Sequence, residues 1–188
     1  MKLILASNSP RRKALLEGLD IDFEVRVIPG IDESYPSETP PHEIPCYLAQ
    51  KKASAYHASI QADELIITAD TIVILDGDIL EKPVDKTDAM RMLKRLSGRK
   101  HQVITAVALT TADRQKTFSA ESFVEFASLT DEEIEYYVDK YKPYDKAGAY
   151  GIQEWIGYVG VCGIEGSFYN VMGLPIQRLY QELKTIYN

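Results

Sequence analysis

A mixed-sheet α/β fold is the architecture this sequence predicts, and three observations predict it. Strand-like and helix-like periodicities alternate from the first residues onward. Residues 65–70 are almost all apolar, as a central strand requires. Hairpin-type turns break into the strand–helix alternation, so parallel crossovers and antiparallel pairs must coexist. The elements follow in order. An apolar strand at residues 3–5 runs into a turn where Ser9 suits an N-cap and Pro10 the first helical position, opening a helix that continues to Leu19. At residues 23–28, Phe23, Val25 and Val27 alternate with Glu24 and Arg26, the pattern of a half-exposed strand. A polar loop covers 29–41. A helix is expected over 43–60, with Pro45 confined to its first turn. Residues 65–80 hold two strands joined at Asp76-Gly77, with the first expected to end at Asp70. A short helix, 87–97, would be capped by Thr87 and stopped by Gly98. Residues 102–111 and 116–127 form a long hairpin around Asp113-Arg114. Thr130-Asp131-Glu132-Glu133 is a capping box opening a helix to Lys140. Residues 157–171 read as a second hairpin around Glu165-Gly166, and 175–187 as the closing helix. No internal repeat or linker interrupts residues 1–188, which form one domain.

Composition narrows the function. The 21 Lys+Arg against 28 Asp+Glu leave a net charge of -7, which excludes a broad electrostatic surface for a nucleic acid polymer. A small anion in a local basic pocket remains compatible. Cys46 and Cys162 stand in unrelated contexts, so no disulfide framework or metal knuckle is expected, and a cytoplasmic location is. His42, His57 and His101 are scattered, which argues against a histidine-ligated metal. No signal segment opens the chain and no apolar run reaches the ~20 residues that span a bilayer, so no membrane partner is expected.

The chemistry concentrates in a few blocks. In Leu5-Ala6-Ser7-Asn8-Ser9-Pro10-Arg11-Arg12, hydroxyls, a helix start and two guanidinium groups come together. A helix N-terminus offers unpaired N–H groups and the positive end of the dipole, and Arg forks match phosphate oxygens in pairs. Two cations in a first turn oppose the dipole, so they require an anionic partner. Asp70, after the apolar strand, sits where ligands of open α/β sheets bind. Lys82-Pro83-Val84-Asp85 adds a base and an acid, and Asp32 and Glu33 offer further carboxylates, although both also suit a solvated loop. Magnesium on a phosphate takes one or two protein carboxylates while Arg and Lys balance the remaining charge. Lys51 and Lys52 point about 100° apart on a helix, and the flanking Leu48, Ala49 and Ala53 make Lys52 the inward one. Between Asp145 and Gln153, two glycines permit close backbone approach while Lys146, Tyr150 and Gln153 supply donors. The Gln153 amide, donor and acceptor at once, matches the acceptor-donor-acceptor edge of uracil or thymine.

Taken together, Leu5 to Arg12, Ala69-Asp70-Thr71, Lys82-Pro83, Leu96-Ser97-Gly98-Arg99, Asp145 to Gln153 and Val171-Met172-Gly173-Leu174-Pro175 resemble the Maf family of nucleoside triphosphate pyrophosphatases from end to end. The resemblance implies an elongated, two-lobed fold like that of inosine triphosphate pyrophosphatases, a cleft between the lobes and often a homodimer. It implies cleavage between the α and β phosphates, aided by Mg²⁺ or Mn²⁺, as part of clearing the nucleotide pool. Ala69-Asp70-Thr71 with Gln153 looks like the dTTP and UTP subgroup, in which the positions of Arg11, Thr71 and Gln153 are tied to base choice. Glu81 and Glu154 depart from glycines common in the family. On this reading Ser7, Ser9, Arg11, Arg12, Lys52, Thr71, Lys82, Lys146 and Gln153 bind substrate. Asp70 is either the proton acceptor or a metal ligand, with Glu33 and Asp85 helping to hold the metal. The alternatives are a purine or 7-methyl-GTP pyrophosphatase of the same family, and a nucleotide-binding regulator of septum formation without turnover.

Overall fold

The computed structural model describes residues 1–187. In chain order its elements are β1 (Lys2–Leu5), α1 (Pro10–Glu17), β2 (Phe23–Val25), α2 (Ile44–Ser54), β3 (Glu64–Leu75), β4 (Asp78–Leu80), α3 (Lys86–Leu96), β5 (Lys100–Thr110), β6 (Gln115–Phe126), α4 (Asp131–Tyr141), α5 (Trp155–Gly160), β7 (Val161–Glu165), α6 (Phe168–Met172) and α7 (Ile176–Tyr187). Seven strands form a mixed sheet in the order β2-β1-β3-β5-β6-β7, with β4 paired to β3. The expected α/β class and mixed sheet are therefore observed. The chain divides into two compact units, residues 1–71, 105–120 and 173–188, and residues 72–104 and 121–172. The strands β3, β5 and β6 each contribute residues to both units.

In the first unit β1 pairs in parallel with β2 (Leu3 opposite Phe23) and with β3 (Leu3 opposite Leu65). The buried residues Ile4, Ile66 and Tyr56 pack together under Ile28, Ile31 and Ile60. The strand expected over 23–28 stops at Val25, because Tyr56 takes over the backbone beyond it. Its hydroxyl donates to the Arg26 carbonyl and accepts from the Ile28 N–H, both at 3.0 Å. The helix expected over 43–60 is α2, with Pro45 in its first turn, but it ends at Ser54. Four alanines, Ala49 and Ala53 of α2 with Ala106 and Ala108 of β5, bring helix and strand close together, and the Thr68 hydroxyl of β3 donates to the Ala49 carbonyl at 2.7 Å.

In the second unit β4 pairs antiparallel with β3, around Asp76 and Gly77 at φ +54° and +88°, the positive values a two-residue hairpin needs. The helix α3 buries Ala89, Met92, Leu93 and Leu96, a stripe with helical spacing. Its N-cap is Asp85 and not Thr87: the Asp85 carboxylate accepts the Asp88 N–H at 2.8 Å. On α4 the Thr130–Glu133 capping box forms as expected, and Ile134, Tyr137 and Val138 face the core. Residues 157–171 do not form a hairpin. Helices α5 and α6 flank the single strand β7, which pairs antiparallel with β6. The Ser122 hydroxyl donates to the Ser167 carbonyl at 3.1 Å and accepts the Ser167 N–H at 3.0 Å, so the chain after Gly166 is bonded into a turn and not into a ladder. Among the described residues no helix is long and apolar enough to cross a membrane.

Candidate active site

In the first unit the site begins at the end of β1. Ser9 caps α1, accepting the Arg12 N–H on its hydroxyl, and Pro10 occupies the first turn, as the sequence predicts. The Ser7 hydroxyl accepts the Ser9 N–H at 3.2 Å and lies 3.5 Å from an Arg12 nitrogen. Arg12 is held at two more points: its Nε donates to the Gly173 carbonyl at 2.8 Å, and Nη2 donates to the Thr71 hydroxyl at 3.1 Å. Burial pulls the Arg12 guanidinium below its ordinary pKa, and the charge of Asp70 opposes that pull. Arg11 follows Ser9 and Pro10 in the same first turn and is half-buried.

Asp70 does not end its strand. It lies within β3, three residues past Ile67, where the pairing with the short strand β1 stops. Because β1 is only four residues long, β3 extends beyond it and Asp70 still lies past the C-terminal end of a parallel neighbour. Alternation along the strand then separates two tasks. Thr68 and Asp70 meet α2, and Thr71 turns the other way, to Arg12 and to Thr105 of β5, whose hydroxyl is 2.9 Å from its own.

Lys52 reaches inward from α2 and Lys51 does not. The Lys52 ammonium sits 2.7 Å from Asp70 Oδ1 and 3.3 Å from Glu33 Oε2. Asp70 is only 7% exposed, and burial raises its pKa above the ordinary aspartate value even though Lys52 and Arg12 pull it down. Lys51 donates to Asp32 at 2.7 Å and to the Ser34 carbonyl at 2.7 Å, pinning the loop that carries Glu33. Lys51 and Ser34 hold the Asp32 carboxylate well below the usual range, so Asp32 serves the loop and leaves Glu33 to meet Lys52.

Within the second unit, Lys146 and Gln153 lie in a cluster of their own unit's residues. Lys146 is 8% exposed, with its ammonium 2.8 Å from Asp145 and 3.3 Å from Glu154. The Gln153 Oε1 is buried and has no hydrogen-bond partner among the described residues. A buried acceptor left open costs stability, so it marks a place where a donor from outside the chain belongs. Lys82 is exposed between β4 and α3. Glu81 contributes its carbonyl, which accepts the Gly148 N–H at 3.2 Å, so a departure from glycine there leaves the contact intact. Asp85, expected as a metal carboxylate, is committed to capping α3. Among the described residues no three His, Cys, Asp or Glu side chains cluster to hold a metal. Glu33 and Asp70 still converge on one cation, the Lys52 ammonium, and two hard carboxylates are the number magnesium ordinarily takes.

Sequence reasoning missed Thr105, the Gly173 carbonyl, Tyr137 and the role of Glu154. Thr105 lies in the long apolar run of β5, and Tyr137 on the apolar stripe of α4, where each reads as core. Only the Gly173 block and the departure from glycine at Glu154 carried a signal.

A cation-lined helix start beside a buried carboxylate, on the parallel part of an α/β sheet, defines a protein built to bind a phosphate-bearing ligand. Residues 2–186 match the Maf-like protein family model, and the chain belongs to that family. A dTTP/UTP pyrophosphatase of Parabacteroides distasonis is 63% identical over 183 residues, covering 97% of this chain and 95% of that one. The proteins of the same name from Phocaeicola vulgatus and Bacteroides thetaiotaomicron are 61% and 60% identical, each covering 98% of this chain and 96% of its own. Among solved structures, the Staphylococcus aureus Ham1 protein aligns over 68% of this chain and 72% of that one, at 17% identity and a TM-score of 0.49.

Proposed function

We propose that this chain is a nucleoside triphosphate pyrophosphatase acting on dTTP and UTP, releasing the monophosphate and pyrophosphate. The observation that carries the chemistry is the buried Asp70 carboxylate, held by Lys52 beside Glu33 and within the field of Arg12. The family and the names of relatives near 60% identity support the substrate class.

Ser7, Ser9, Arg11, Arg12 and the α1 N-terminus take the phosphate oxygens, and Lys52 and Lys82 add positive charge. Thr71 and Gly173 fix the direction of the Arg12 fork, so the cation is in place before substrate arrives. Asp70 accepts the proton of the attacking water as the bond between the α and β phosphates breaks, and pyrophosphate leaves with that bond's electron pair. Its raised pKa makes it a stronger base than an exposed aspartate. Glu33, beside Asp70, is the carboxylate that would help hold Mg²⁺ or Mn²⁺, and the ion, when bound, would neutralise phosphate charge. Gln153 reads the base: its open Oε1 accepts the ring N3–H of uracil or thymine, and its NH₂ donates to a neighbouring carbonyl. Cytosine, without that N–H, leaves the acceptor unpaired.

The test is pyrophosphate release from dTTP, UTP, CTP, dGTP and 7-methyl-GTP, with Mg²⁺ or Mn²⁺. Turnover highest on dTTP and UTP is the expected result. Preference for a purine overturns the base assignment, and binding without turnover overturns the enzyme.

A further inference from the structure

We infer that Glu154, acting with Tyr137, is a positioning residue for base selection: it fixes the segment that carries Lys146 and Gln153. The inference rests on the reading of Gln153 as the base-recognition residue.

Both oxygens of the Glu154 carboxylate are engaged, one by the loop residue Lys146 and the other by Tyr137 of α4. Oε1 faces the Lys146 ammonium at 3.3 Å, and Oε2 accepts the Tyr137 hydroxyl proton. The Tyr137 oxygen in turn accepts the Gly151 N–H at 2.9 Å. Gly151 N–H, Tyr137, Glu154 and Lys146 therefore form one connected chain that ties both ends of the segment to α4. Tyr137 is fully buried and stacked on Tyr141 with ring centroids 5.0 Å apart, so the anchor itself is rigid. Burial, reinforced by Glu154, pushes the Tyr137 phenol far above its ordinary pKa, so it remains a donor at any working pH. The carboxylate also packs on the loop backbone: a Cβ at Gly151 would come within 2.9 Å of the Glu154 Cδ.

What this network leaves over is the Gln153 carbonyl oxygen. Every neighbouring polar group just described is partnered within the network, while Gln153 Oε1 is buried and open among the described residues. An acceptor presented that way keeps its direction only if the backbone on either side is held, and a connected polar network holds a backbone more firmly than its separate pairs would. Glu154 also balances the charge of Lys146, whose side chain is 9% exposed.

The experiment measures kcat and KM for UTP and CTP with Glu154→Ala, Glu154→Gln, Tyr137→Phe and Gln153→Ala, with folding confirmed by circular dichroism. Expected for Glu154→Ala is a loss of about tenfold in UTP-over-CTP preference, arising in KM while kcat stays within about threefold. Glu154→Gln, which keeps an acceptor for Tyr137, should recover most of the loss. Tyr137→Phe, which removes one oxygen and keeps the stacked ring, should shift preference in the same direction and decides the matter if Glu154→Ala does not fold. If the folded Glu154 and Tyr137 variants keep wild-type preference and KM while Gln153→Ala loses the preference, this inference falls and the base reading stands. If Gln153→Ala also keeps it, both fall together.

Discussion

At the scale of single residues, the first unit separates its tasks by geometry available only to neighbouring side chains. Asp70 and Thr71 are adjacent in β3, yet alternation sends one to Lys52 and Glu33 and the other to Arg12 and Thr105. Asp70→Asn keeps the shape and removes the basicity. It should lower kcat on UTP by about a thousandfold, the range for losing a positioned general base, with KM little changed. A steady-state comparison checks this, with the melting temperature as the control for folding. Because burial raises the Asp70 pKa, the acid limb of the wild-type pH profile should lie above the ordinary aspartate value: activity fails as pH drops through the raised pKa and the base takes up a proton. Asp70, Arg12 and Lys52 were legible in the sequence because each carried a local signal: an apolar run ending in an acid, a helix start opposed by cations, and a lysine set among small apolar residues. Thr105 was not, since a threonine in a buried strand looks like any other β-branched core residue until a neighbour's hydroxyl is seen 2.9 Å away.

At the scale of elements, the departures from expectation lie where a long-range partner outbid a local pattern. Val27 continues the strand-like alternation of Phe23 and Val25, but the Tyr56 hydroxyl claims the Arg26 carbonyl and the Ile28 N–H on either side of it and β2 ends at Val25. Residues 157–171 have the β-branched and aromatic content of a hairpin, yet their first part is the helix α5, which docks on the loop before it. The docking is so close that a Cβ at Gly157 would lie 1.7 Å from the Ile152 carbonyl oxygen, which no side chain can accept. Gly157→Ala must therefore displace α5 from the Gln153 loop, and should cost more than about 2 kcal/mol, as overpacking against an unyielding backbone does. Urea denaturation measures that cost, and a midpoint equal to wild type would show that the helix can shift without penalty. By contrast α1, α3 and α4 were legible to within two residues at each end, although α3 is capped by Asp85 and not by Thr87, because a proline, capping residues and apolar stripes with helical spacing are local signals that no distant partner had reason to override.

At the scale of the whole molecule, one buried histidine links global stability to pH. His101 is 2% exposed; its Nε2 lies 2.7 Å from the Tyr150 hydroxyl, and its ring meets Phe126 and Tyr150 edge to face. Burial lowers its pKa from 6.5 to about 4. The unfolded chain therefore binds a proton on His101 at a pH where the folded protein does not. The stability this gives is fully present above pH 6.5 and is lost as pH falls toward 4, by about 3 kcal/mol over the interval. His101→Phe keeps a flat ring and cannot titrate, so its unfolding free energy should fall less between pH 6.5 and 4.5 than that of wild type. Equal slopes would remove His101 as the source. The sequence by itself determined the fold class, the order of most elements and the blocks in which the chemistry would lie, because periodicity, caps and turn residues act over a few positions. Only the tertiary structure decided that Asp32 serves a loop while Glu33 meets Lys52, that Asp85 caps a helix, and that Glu154 and Tyr137 hold the Gln153 segment. Apart from the Asp85 cap, which is a contact three residues long, those assignments rest on which polar groups meet across long stretches of chain, and a hydrogen bond forms by distance in space and not by separation in sequence.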